Sequence, residues 1–123
     1  MFEQAYYCFS GIRLCEKFLD TLRVEGAPSE KYPDDMVRPA IVATFRIGKF
    51  YNKIFTPIGE DQVKFTEIAI DWYEKVVDYC QAHPDQAAGL ELERSQSVST
   101  VDLLRRQLKI HANSSAAAAA DSQ

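Results

Sequence analysis

The chain is predicted to be all-α, with about four helices in antiparallel pairs forming a segment of an α-solenoid. Three observations predict this class. Apolar residues recur at three- and four-residue intervals through four long stretches, the spacing of one helix face. Proline and glycine punctuation falls between the stretches, at Gly26-Ala27-Pro28, Thr56-Pro57-Ile58-Gly59 and His83-Pro84. A weak internal repeat sets Cys15-Glu16-Lys17-Phe18-Leu19-Asp20 against Tyr73-Glu74-Lys75-Val76-Val77-Asp78, with Ile12 and Ile70 at the same offset, so a related helix opens each of two pairs.

The first helix is expected over 2–24. Phe2, Phe9, Ile12, Phe18, Leu19 and Leu22 form its apolar stripe, with Tyr6, Cys8 and Cys15 beside them. The second is expected over 35–55, with Asp34 or Asp35 as N-cap and Pro39 tolerated in a first turn whose amides lack helical partners. Its stripe is Ala40, Ile47, Phe50, Tyr51 and Ile54, flanked by Val37 and Phe55. The third runs over 60–82 on Phe65, Ala69, Trp72, Val76 and Tyr79, widened by Ile68, Tyr73 and Cys80. The residue before Pro84 disfavours helical angles and ends it. The fourth, over 86–110, places Leu90, Val101, Leu104 and Leu108 on one face. Its RSQSVST stretch is poor in helix formers and predicts a frayed or broken middle. Residues 1–112 thus form one helical module, and 113–123, a low-complexity alanine and serine run, read as a disordered tail.

A length of 123 residues fits one small domain with its own core. A formal charge of −4 argues against a nucleic-acid binder, which needs a clustered basic excess. The N-terminus is not a signal peptide, because Glu3 stands in the region that should be basic and Arg13 interrupts the apolar run. No stretch has the roughly 18 apolar residues of a membrane span, so a soluble, cytoplasmic protein without membrane contact is expected. Cys8, Cys15 and Cys80 lack metal-ligand spacing, and seven helical residues separate Cys8 from Cys15 by roughly 10 Å, too far for a disulfide. They read as small apolar residues in a reducing compartment.

Two charged faces stand out. Glu60, Glu67, Asp71, Glu74 and Asp78 lie at helical spacing almost opposite the Phe65/Trp72/Val76 stripe. Acid–base catalysis wants carboxylates that are partly desolvated, and these point to water. They are either a solvated helix face or an acidic docking ridge for a basic partner. Arg38, Arg46, Lys49 and Lys53 form the mirror case on the second helix, solvated or partner-facing. No glycine-rich loop accompanies them, which argues against phosphate binding. Each stripe points away from its own core, so salt bridges between them within the hairpin are not expected. Trp72, in mid-stripe, reads as core, and Tyr79 as an edge residue whose hydroxyl needs a partner. His83 at a helix C-terminus reads as structural. No nucleophile, phosphate or metal motif occurs, and no catalytic residue, metal or cofactor is expected.

Val37-Arg38-Pro39-Ala40, then Phe45-Arg46 and the Lys49-x-Tyr51-x-Lys53-Ile54 run, resembles the C-terminal region of the KIF-binding protein family. So does Tyr73-Glu74-Lys75-Val76-Val77-Asp78-Tyr79-Cys80 with His83-Pro84 behind it, and Phe18-Leu19-Asp20-Thr21-Leu22 fits the family's upstream helix. The resemblance covers about Cys15 to Glu93 and departs after it. It implies a TPR-like solenoid that binds kinesin motor domains and blocks their attachment to microtubules, without enzymatic activity and in association with the cytoskeleton. It further implies a fragment, a truncated gene product or a divergent short form, since family members are several times longer. Apolar residues over much of the first helix then predict self-association or marginal stability, through Phe2, Tyr7 and Phe9.

Two other readings compete. A generic TPR-like adaptor or co-chaperone is disfavoured by helices of about twenty residues, too long for a repeat of roughly 34. A helical-bundle enzyme would need inward-facing carboxylate or histidine ligands.

Overall fold

The computed structural model describes residues 2–22, 31–54 and 59–121; of residues 2–5, 59–61 and 113–121 the backbone alone is described. Four helices follow in chain order: α1 (Phe2–Thr21), α2 (Val37–Lys53), α3 (Gly59–Ala82) and α4 (Glu91–Asp121). There is no strand among the described residues. Each helix packs on its chain neighbour, and α4 also touches α2, so the helices pile up in sequence order as in a solenoid.

Helix α2 is the centre of the structure because it is apolar on two flanks. Ala40, Ala43, Ile47 and Ile54 join Cys8, Ile12 and Leu19 of α1 in one core cluster. Val37, Ile41 and Phe45 join Ala69, Ile70, Tyr73, Val76 and Cys80 of α3 and Leu90, Val101 and Leu104 around α4 in the other. The periodicity pointed mainly to the first flank and, of the second, gave only Val37. The second needs Ile41 and Phe45 as well, and the Phe45 ring meets the Tyr73 ring edge-on at 5.6 Å between centroids. In α3 the buried stripe accordingly centres on Ala69, Tyr73 and Val76, and Trp72, expected in mid-core, is half-buried at its edge. Ile12 and Ile70, matched by the internal repeat, are both buried.

Two glycines set helix spacing. A Cβ on Gly11 would lie 2.5 Å from the Phe50 ring, and one on Gly48 would lie 3.3 Å from Tyr73. Gly11 lets α1 sit directly against the Phe50 ring of α2, and Gly48 lets α2 sit close to the Tyr73 ring of α3.

Several boundaries differ from the sequence expectation. Helix α1 is described to Thr21, and 23–30 lie outside the described residues, as does Phe55. Met36, not Asp34 or Asp35, is the N-cap of α2, and no side chain caps it. Asp34 is occupied elsewhere, accepting a hydrogen bond from Gln86. Pro84 and Asp85 open a turn and not a helix. Gly89, at φ +90°, takes a left-handed conformation that stops any helix there, and α4 starts at Glu91. From there α4 is continuous. RSQSVST does not break it, because Ser97 is fully buried and packing outweighs propensity. The backbone of 113–121, expected to be a structureless tail, continues the helix: alanine is the strongest helix former and a formed helix extends cheaply.

A polar clasp closes the α3–α4 corner onto the segment preceding α2. Gln86, 7% exposed, donates through Nε2 to the Tyr32 carbonyl at 2.8 Å and to Asp34 Oδ1 at 2.7 Å. Its Oε1 accepts from the Tyr79 hydroxyl, which itself accepts from the Tyr32 N–H at 3.0 Å. The edge tyrosine thus has the partners its burial requires. Outside the clasp, Lys31 Nζ pairs with Asp85 Oδ2 at 2.8 Å. That hydrogen bond holds the Asp85 carboxyl below its ordinary range and raises the Lys31 ammonium above its own.

Candidate functional site

The best-formed hollow is a cleft of about 400 Å³ between α1 and α3, with α2 as its floor. Leu19, Glu16 and Asp20 come from α1, Ile41 and Thr44 from α2, and Trp72, Lys75 and Tyr79 from α3, with Tyr32 closing one end. The floor is apolar in effect, since the Thr44 hydroxyl is turned inward to donate to the Ala40 carbonyl at 2.8 Å. Tyr32 and Tyr79 pack at a tilt with centroids 5.3 Å apart, and Tyr79 meets His83 at 4.5 Å, so the aromatic wall extends to the clasp.

Trp72 lines the cleft, and the Lys75 ammonium sits over a face of its ring, 5.4 Å from the centroid. A cation already resting on that face shows what the wall attracts. Glu16 and Asp20 on the opposite wall are exposed, and neither has an ion-pair partner among the described residues. The arrangement suits a cationic side chain held between aromatic and carboxylate walls.

The predicted acidic ridge runs along the outer face of α3 beside this cleft. Glu67, Asp71 and Asp78 are exposed and without an ion-pair partner among the described residues. Glu74 is different: half-buried, it receives Arg105 Nη2 from α4 and serves the α3–α4 contact. The Glu60 side chain lies outside the described residues. Tyr32 had no distinguishing signal in the sequence, and Glu16 and Asp20 had only a weak one. The internal repeat could have hinted at the two acids, since it matches Glu16 to Glu74 and Asp20 to Asp78.

Arg38, Arg46, Lys49 and Lys53 are all exposed on the narrow strip that α2 leaves between its two buried flanks, and α2 carries no acidic residue. They divide between two neighbours. Arg46 lines a groove toward α1, and Lys49 lies 5.6 Å over the Phe45 ring on the α4 side. Burial raises the Cys8 thiol, with Lys53 pulling it partly back, and Cys15 is raised in the same way against Arg46. All three cysteines are free. No ion pair joins the α2 cations to the α3 carboxylates among the described residues.

No group of histidine, cysteine or carboxylate side chains able to hold a metal is found among the described residues. Among them, too, no helix is long and apolar enough to cross a membrane.

Stacked helices in sequence order with an open, charged cleft define an all-helical, solenoid-like module. A family model described as KIF-1 binding protein C terminal matches residues 5–111. The chain belongs to this family. It is 34% identical over 102 residues to a KIF-binding protein of Gallus gallus, a match covering 80% of this chain and 17% of that protein. The KIF-binding proteins of Homo sapiens and Danio rerio are 32% and 33% identical, over 81% and 80% of this chain and 16% of each relative. The chain therefore spans about a sixth of the length of these relatives. No solved structure matches it.

Proposed function

We propose that this chain is a non-enzymatic module that binds kinesin motor domains through the α1–α3 cleft and the acidic ridge beside it, and so regulates their attachment to microtubules. The observation that carries this reading is the row of carboxylates, Glu67, Asp71 and Asp78, unpaired among the described residues, on a helix whose inner edge supplies Trp72 to the cleft. Membership of the KIF-binding protein family supports the partner class. The surface by which a motor grips an acidic filament is basic, and an acidic ridge with an aromatic cleft competes for that surface. The module acts by contact in the cytoplasm, alongside the cytoskeleton.

The test is binding of the chain to purified kinesin motor domains, with microtubule co-sedimentation as a second readout. Replacing Glu67, Asp71 and Asp78 together by lysine is expected to weaken binding at low salt at least tenfold and to restore motors to the microtubule pellet. Glu74 is left intact because it holds Arg105. Unchanged affinity of the triple variant at low salt refutes the ridge as the contact.

A further inference from the structure

We infer, resting on the cleft contact proposed above, that the cleft seats an arginine side chain of the partner against Trp72, and that Lys75 is the resident cation this arginine displaces. Lys75 and Trp72 both line the cleft, and the ammonium already lies over the indole. Lys75 is exposed and makes no ion pair among the described residues. A cation–π contact at such an exposed site is worth a factor of only about two to five, so the lysine is easily moved. Glu16 and Asp20 stand one helical turn apart on the facing α1 wall, also exposed and without ion-pair partners among the described residues.

The charges of the wall favour one entering cation. Glu16 and Asp20 against Lys75 leave the lining with a single negative charge in excess. A partner lysine would only replace like with like, setting the same ammonium on the same ring. Arginine differs. Its guanidinium is planar and weakly hydrated, so it can lie on the indole while its N–H edge reaches a carboxylate. The methylene stem then rests on the floor made by Ile41 and Thr44, which is apolar because the Thr44 hydroxyl is turned inward.

Seat and ridge thus divide the work. Glu67, Asp71 and Asp78 draw in any basic surface, whereas the seat selects among cations. Lys75 is the specificity-determining residue of the cleft: it answers part of the acidic charge in the free protein and must be outcompeted by a better-fitting cation. Its presence lowers affinity for every cationic ligand and leaves arginine the one that gains by the exchange.

Trp72 is the one tryptophan of the chain, so its fluorescence reports the seat directly. The full chain is titrated at low salt with the blocked tripeptides acetyl-Gly-Arg-Gly-amide and acetyl-Gly-Lys-Gly-amide. The arginine peptide is expected to change the emission saturably, and the lysine peptide to bind several-fold more weakly. Lys75→Met keeps the stem and removes the charge, and should tighten arginine binding about three- to tenfold. Lys109→Met makes the same change in net charge on α4, away from the cleft, and should shift it by less than about twofold. Both lysines are exposed, and circular dichroism verifies that each variant folds. Glu16→Gln with Asp20→Asn should weaken binding by about threefold or more. An arginine peptide that leaves Trp72 unmoved in wild type and Lys75→Met alike overturns the inference. A Lys75→Met variant that binds no tighter than Lys109→Met, or a lysine peptide that binds as well as arginine, overturns it too. Motor-domain affinity separates the two claims. Motors that bind a chain whose Trp72 ignores the peptide refute the arginine seat and spare the ridge. Expected peptide behaviour in a chain that ignores motor domains supports the seat and refutes the kinesin reading.

Discussion

Replacing Gln86 by alanine removes the side chain at the centre of the clasp between the segment before α2 and the α3–α4 corner. Three hydrogen bonds go with it: to the Tyr32 carbonyl, to the Asp34 carboxylate and from the Tyr79 hydroxyl. Two neutral bonds at about 1 kcal/mol each and one to a carboxylate at about 1.5–3 kcal/mol give a gross loss of roughly 3.5–5 kcal/mol. Asp34 is exposed and regains water, so its share shrinks. The Tyr79 hydroxyl keeps the Tyr32 N–H as donor but loses its acceptor. The expected net cost is about 2–3 kcal/mol. At about 3–5 °C per kcal/mol for a domain of this size, the melting midpoint should fall by roughly 6–15 °C. Urea unfolding followed by far-ultraviolet circular dichroism measures the free energy directly. Tyr79→Phe alone should cost less, and the double variant should cost less than the sum, with a coupling of about 0.5 kcal/mol or more. A Gln86→Ala cost below about 0.5 kcal/mol, or strict additivity with Tyr79→Phe, would refute the clasp as a stabilising unit.

Gly11→Ala pits about 1 kcal/mol of helix propensity against a Cβ placed 2.5 Å from Phe50. Overpacking of about 1–3 kcal/mol should win, and Phe50→Leu in the same chain should recover the loss, as read by chemical denaturation. Ser97→Ala removes a buried hydroxyl that has no hydrogen-bond partner among the described residues, so stability should rise by about 1 kcal/mol; a loss of that size would mean the hydroxyl is satisfied in solution. Burial pushes the Tyr73 hydroxyl up to about 12 from an ordinary value of 10, against the opposing pull of its hydrogen bond with Asn52. The unfolded chain then loses this proton first, so stability should fall as pH rises from 10 to 12, by about 1.4 kcal/mol per unit. Urea midpoints across that window should drop, and Tyr73→Phe should flatten the slope.

Helices α2 and α3 could be bounded within about two residues because proline and glycine flank them and their stripes are strong. The start of α4 could not, because it depends on Gly89 at positive φ and on Gln86 being drawn into a contact with Asp34 and Tyr32, which lie far back in the chain. A glutamine in a turn looks like any other until its partners are placed beside it. The second buried flank of α2 was hidden for a related reason. Ile41 and Phe45 obey helical spacing, but only the position of α2 between α1 and the α3–α4 pair makes a second buried flank necessary. The alanine run misled because composition speaks of burial and not of propagation. At the cleft, Trp72 and the α3 carboxylates could be found from helical spacing, whereas the α1 wall depended on how close α1 comes to α2, which Gly11 sets. The family itself was legible, since ordered motifs across two helices survive changes that erase single contacts.

The clasp also divides the cleft into unequal walls. Tyr79 and Tyr32 are fastened to Gln86 and to each other, so the α3 side and the closed end belong to one cooperative unit. Glu16 and Asp20 ride on α1, which rests on α2 and reaches α3 only through side chains such as Phe9 against Phe65. Amide hydrogens of α1 should therefore exchange through local opening, well ahead of those in α3. A ligand that spans the cleft then quiets one wall against a still one, and part of its binding energy is spent as lost motion of α1. Substitutions on the far side of α1, where Tyr7 and Leu14 face outward, are expected to change affinity at the proposed site without changing any residue that lines it.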